Sequence, residues 1–162
     1  MELRRIRVLA GVTAIAVAGR NAEGQTATQV VNFRVDAVSQ LAVSGNPAPL
    51  LVSAAIAGQS PTSASASTTT YAISTNESNQ KIVASLNQVM PSGIDLEVTL
   101  AAPAGASSRG AISLATSGAD VVTGISATAS SALPITYRLN AGVTASIISA
   151  TRTVTYTIVS GT

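Results

Sequence analysis

The stretch QTATQVVNFRVDAVSQLAVSGNP, residues 25–47, alternates apolar and polar side chains for an unusual distance. Val31, Phe33, Val35, Ala37, Leu41 and Val43 take odd positions, broken only by Ser39, while Asn32, Arg34, Asp36, Gln40 and Ser44 take even ones. Successive side chains of an extended chain point to opposite faces, so this period specifies a strand with one apolar and one wet face. Its roughly thirteen residues reach about 43 Å at about 3.3 Å each, whereas strands usually number about five or six. A body of roughly 138 residues has a radius of gyration near 14 Å and, as a sphere, a diameter of about 37 Å. The strand is longer than its own domain is wide. One part of it belongs elsewhere.

The rest of the chain sets the context for that strand. IDLEVTLA puts Ile94, Leu96, Val98 and Leu100 on one face and Asp95, Glu97 and Thr99 on the other. LPITYRLN repeats the pattern with Leu133, Ile135, Tyr137 and Leu139 inward, and TRTVTYTIVS does so with Val154, Tyr156 and Ile158. TTYAIST and KIVASLN read as two more strands, joined by the turn NESNQ. Shorter candidates are PLLVSAA, AISLA, DVVTGISA and VTASIIS. The Gly-, Pro- and Ser-rich breakers SGNPAP, AGQSPTSASAS, VMPSG and APAGASSRG separate them. About eight or nine short, one-sided strands at roughly ten-residue intervals predict an all-β antiparallel β-sandwich with an extended N-terminal strand and negligible helix.

Ahead of the long strand, residues 1–24 read as a signal peptide. Arg4, Arg5 and Arg7 precede an apolar run over residues 8–19, too short to span a bilayer, and Ala22 and Gly24 suit a cut before Gln25. A retained anchor or a first core strand is the competing reading. The expected division is signal 1–24, N-terminal extension 25–40 and sandwich domain 41–162, in a protein secreted to the extracellular space or cell surface.

Removal of the signal changes the charge balance. Arg4, Arg5, Arg7 and Arg20 against Glu2 and Glu23 account for the whole formal charge of +2, so the remainder is neutral. That removes the basic footprint nucleic-acid binding needs. With no cysteine, stability rests on packing and sheet pairing alone. No second hydrophobic run follows, so no membrane association is expected after signal removal.

Catalysis finds little to work with. The chain has no His and no Cys, which removes the common general base, thiol nucleophile and zinc ligands. Asp95 and Glu97 form a close acid pair that a glycosidase or a calcium site could use, but they also suit the wet side of an amphipathic strand. Neither an enzyme nor a cofactor is expected. Lys81 suits either an intramolecular cross-link or a solvated surface. Tyr71, Tyr137 and Tyr156 suit a sugar platform or, given their apolar strand faces, the core. Asn76 opens the glycosylation sequon NES in a turn.

Two readings of the long strand remain. In one, Ser39 and Gln40 mark a bulge or corner and both halves pair within the chain. In the other, the body begins near Leu41 and residues 25–37 complete the sheet of a neighbouring copy. Val31, Phe33, Val35 and Ala37 would then be the interface anchors. A signal, the alternating extension TQVVNFRVDA and a run of Thr- and Ser-rich strands together resemble the Ig-like subunits of donor-strand filaments, the pilins and biofilm-matrix fibre proteins. The chain departs from chaperone-usher pilins in lacking the disulfide cysteines. The resemblance implies a head-to-tail homopolymer serving adhesion or matrix building. The alternatives are a monomeric secreted surface domain and a glycan-binding β-sandwich module whose partners are surface glycans.

The secreted protein should begin near Gln25. Peptide mapping of native material that recovers residues 1–20 intact would overturn the signal reading.

Overall fold

The computed structural model describes residues 26–161; the predicted signal, residues 1–24, lies outside them, as does Gln25. The described residues contain nine strands in two antiparallel sheets and no helix. The strands are β1 Ser39–Val43, β2 Ala64–Thr75, β3 Gln80–Leu86, β4 Ile94–Leu100, β5 Ser107–Ser108, β6 Ile112–Ser113, β7 Ala119–Ile125, β8 Thr128–Ala141 and β9 Val154–Ser160. One sheet has the order β1-β2-β8-β4-β6 and the other β5-β7-β3-β9. The predicted all-β sandwich is therefore the fold.

The core follows the period-two pattern. Leu96, Val98 and Leu100 on β4, Ile135 and Tyr137 on β8, and Tyr71 and Ile73 on β2 are buried on one side; Ile82, Ala84, Leu86, Val121, Val122 and Ile125 are buried from the other sheet. Asp95 and Glu97 stay on the outer face of β4, where Asp95 accepts a hydrogen bond from Ser113 Oγ and Glu97 from Asn140 Nδ2, each at 3.0 Å. Pro134 is tolerated inside β8 because β4 stops at Leu100, opposite Ile135. The Pro134 carbonyl accepts from Ala101 N–H just past the end of that ladder, and the Ala101 carbonyl, which the missing N–H would have met, accepts from Tyr71 O–H instead.

Four segments differ from the sequence reading, each for a local reason. PLLVSAA forms no strand beyond a bridge between Ala55 and Pro61. Leu50 packs against the core while the adjacent Leu51 is exposed, so the run has no single apolar face. VTASIIS forms none either; Val143, Ile147 and Ile148, which do not share one phase, are all exposed. AGQSPTSASAS, read as a loop, already enters β2 at Ala64. The breaker APAGASSRG contains β5, which main-chain pairing of Ser107 and Ser108 with Thr123 and Val122 defines without any apolar side chain.

Leu96→Ala should lower unfolding stability by about 2–5 kcal/mol, the range for a core leucine whose pocket cannot collapse. Leu51→Ala, at an exposed loop position, should stay within about 0.5 kcal/mol. Urea midpoints of the two variants check the contrast, and equal midpoints would show that the inward face is misplaced.

Candidate functional site

The chain divides into two units between Arg34 and Val35. In the first, residues 26–34 form no strand, and Val31 and Phe33 are 72% and 90% exposed. In the second, Val35 is 80% exposed and residues 35–38 also lie outside any strand, Ala37 being exposed as well. None of the four predicted anchors is buried. No glycine or proline occurs between Gln25 and Val43, so this segment lacks the residues that most readily reverse a chain.

The predicted long strand is a strand only from Ser39 onward, and its partner sets that limit. β1 pairs with β2 in unbroken register from Ser39↔Thr75 to Val43↔Tyr71, so no bulge or corner forms at Ser39 and Gln40. β2 then turns away at Asn76, and the ladder has nothing further to pair with. Asn76 holds the segment at this point. Its Oδ1 accepts from Val38 N–H at 2.8 Å, its Nδ2 donates to the Asp36 carbonyl at 2.8 Å, and its own N–H donates to the Val38 carbonyl at 3.1 Å. Ser39 Oγ donates to Glu77 at 2.7 Å and meets Thr75 Oγ1 at 3.0 Å. These bonds tie residues 36–39 to Asn76 and its neighbours. Sequence reasoning saw Asn76 only as an exposed sequon; the same Nδ2 that would carry a glycan is engaged at Asp36.

At the other end of the chain, β9 is the last strand of its sheet. Its core-facing Val154, Tyr156 and Ile158 are only half-buried, whereas Ile82, Ala84 and Leu86 beside them on β3 are fully buried. β1 also covers only part of β2: Ser44 caps Thr70, and Ala64 to Thr69 meet no strand on that edge among the described residues. Inward on this stretch, Thr69 buries its Oγ1 without a hydrogen-bond partner.

The tyrosines belong to the packing. Tyr71 and Tyr137 are buried and Tyr156 half-buried. Tyr71 O–H donates to the Ala101 carbonyl, and Tyr156 O–H donates to Tyr137 across the sheets at 2.8 Å. No exposed sugar platform results. Burial pushes the Tyr71 phenol up to about 12. Burial also raises Tyr137, against the opposing hydrogen bond from Tyr156, and raises Tyr156, where that bond adds to the effect. Lys81 forms an ion pair with Asp120 at 3.2 Å.

A cleft of about 510 Å³ lies among Ser60, Ser63, Asp95, Arg138 and Asn140, and no aromatic side chain lines it. The described residues bring together no group of three or more metal-ligating His, Cys, Asp or Glu side chains, and they contain no helix long and apolar enough to cross a membrane. No protein-family model, curated protein or solved structure matches the chain.

The raised phenols predict an alkaline limit to stability. The unfolded chain loses tyrosine protons near pH 10 and the folded chain later, so this contribution is complete below about pH 10 and is lost as pH rises towards about 12. Denaturation midpoints should fall over that interval as phenolate absorbance rises. A midpoint unchanged up to pH 12 would contradict the buried placement of Tyr71.

Proposed function

We propose that this chain is a secreted structural subunit that polymerises head to tail, its residues 25–37 adding a strand to the sandwich of the next copy. One observation carries this reading: an alternating segment places Val31, Phe33 and Val35 in solvent, on a chain whose other period-two faces are packed. An isolated exposed apolar residue is ordinary, but several close together in sequence, Val30 among them, mark a contact surface. Burying each would contribute about 1.5–3 kcal/mol before the cost of association. Main-chain hydrogen bonds would supply direction and register.

The role is architectural rather than catalytic, and its setting is extracellular or at the cell surface. Copies contacting one another through a segment on one side and a different surface on the other do not close into a pair; where the rotation between them does not close into a ring either, the product is a filament. The outer faces suit this role. Thr155 and Thr157 on β9, Thr153 just before it and their counterparts elsewhere present hydroxyls instead of charges, which allows close lateral packing while keeping the surface hydrated.

Deleting residues 25–37 should leave a monomeric or amorphously aggregating protein that forms no fibres under negative stain. Phe33→Asp should act in the same direction, because an unpartnered carboxylate in an apolar groove loses several kcal/mol of solvation. Adding the free peptide of residues 25–37 should raise the melting temperature of the deleted protein in a concentration-dependent way. Ordinary fibres from the deleted protein would end the filament reading. Dispersed particles of the intact protein that bind a glycan array would favour a glycan-binding module.

A further inference from the structure

Strand addition requires an acceptor, and the two sheets end in four outer strands, β1, β6, β5 and β9, while the stretch of β2 that β1 leaves uncovered, Ala64 to Thr69, carries only Ala, Ser and Thr side chains and so offers little apolar surface to cover. β5 and β6 are two residues each, too short to hold a segment carrying four alternating anchors. β1 has five residues, and its inward positions are Ser39, Leu41 and Val43, of which Ser39 is occupied by Thr75 and Glu77 and Val43 is more than half exposed. β9 has seven residues in unbroken register with β3.

The direction of the β9 main chain follows from that register. Gly161 N–H donates to the Asn79 carbonyl and Asn87 N–H to the Thr153 carbonyl, so the odd-numbered residues of β9 direct their amide groups toward β3. Val154, Tyr156, Ile158 and Ser160 therefore direct theirs to the vacant edge. Three of these four also carry the half-buried apolar side chains on the core side. Among the described residues, main-chain groups without a strand partner and incompletely covered apolar side chains coincide on the same positions.

We propose that the vacant edge of β9 is the acceptor, and that its occupant is residues 31–37 of a second copy of this chain. This rests on the filament reading above. The spacing agrees: Val31, Phe33, Val35 and Ala37 repeat at the same interval as Val154, Tyr156, Ile158 and Ser160. Parity is fixed as well, since a slip of one residue would turn Asn32, Arg34 and Asp36 onto the core face. Odd residues of the incoming segment lie opposite even residues of β9. Asn32, Arg34 and Asp36 then lie on the outer face beside Thr155 and Thr157.

The test exploits a chain without cysteine. Full-length protein carrying T157C, an exposed outward position, is combined in turn with N32C, R34C and D36C, with T155C as a second acceptor variant. After mild oxidation, at least one pairing should give a ladder of disulfide-linked oligomers that no single-cysteine variant gives. The same segment cysteines combined with Q40C on β1 or S108C on β5 should give none. A ladder through Gln40 or Ser108 and not through β9 would overturn the acceptor while leaving the filament standing. An intramolecular bridge in monomers would also overturn it, because the segment would then cover its own β9. Absence of fibres from the unmodified protein would instead remove the filament reading itself.

Discussion

The length of β2 is the constraint on which the rest depends. A strand stays paired only as far as its neighbour runs beside it, and β2 leaves the sheet at Asn76. The N-terminal strand therefore obtains five ladder positions although its alternating pattern continues well before Ser39. Residues 36–38 satisfy part of their main chain through Asn76 rather than through a strand. What precedes them keeps an apolar face for which the ladder of this sheet has no further position.

The core shows the complementary deficit. β3 and β7 lie inside their sheet and bury Ile82, Ala84, Val121 and Val122 completely. β9 carries comparable side chains in the same layer, yet they remain half-buried because no strand among the described residues pairs with its far side, although β1 of the other sheet passes close by. The buried Tyr137–Tyr156 hydrogen bond joins the two sheets close to this flank and keeps β9 in place without a second neighbour. Unpaired strand edges invite association, and natural proteins usually blunt them with charge, bulges or proline. β9 has none of these: its residues are Val, Thr, Tyr and Ile up to Ser160, in regular register.

Most of the fold was legible because period-two alternation is a direct record of which side chain faces the core. β4, β8 and β9 announce themselves in this way, and Leu96, Val98 and Ile135 are buried as their phase requires. Alternation fails where pairing is carried by main chain alone, as in β5, and where small residues fill the inward positions, as at Ala64 and Ala66. It also overstates short apolar runs such as LLV at residues 50–52, whose neighbours point both ways. The alternation through Val31, Phe33, Val35 and Ala37 was readable, but the strand it predicts ahead of Ser39 does not form. The Asn76 clamp and the vacancy beside β9 were not readable. Both depend on which residues, distant in sequence, end side by side, and no local pattern encodes that Asn76 lies next to Val38 or that β9 is last in its sheet.

Strand addition between unlike surfaces has a consequence for assembly geometry. If each copy contributes its N-terminal segment and receives another at β9, every contact joins two different parts of the same sequence, so each added copy presents a fresh acceptor. The parity rule makes the contact selective, because only an odd-phase register places apolar side chains against the core and leaves Asn32, Arg34 and Asp36 among the threonines of the outer face. Selectivity then needs no charge pairing. A chain with seven acidic and nine basic residues in total can specify a directional contact through alternation and main-chain hydrogen bonds, the same two devices that build its own sheets.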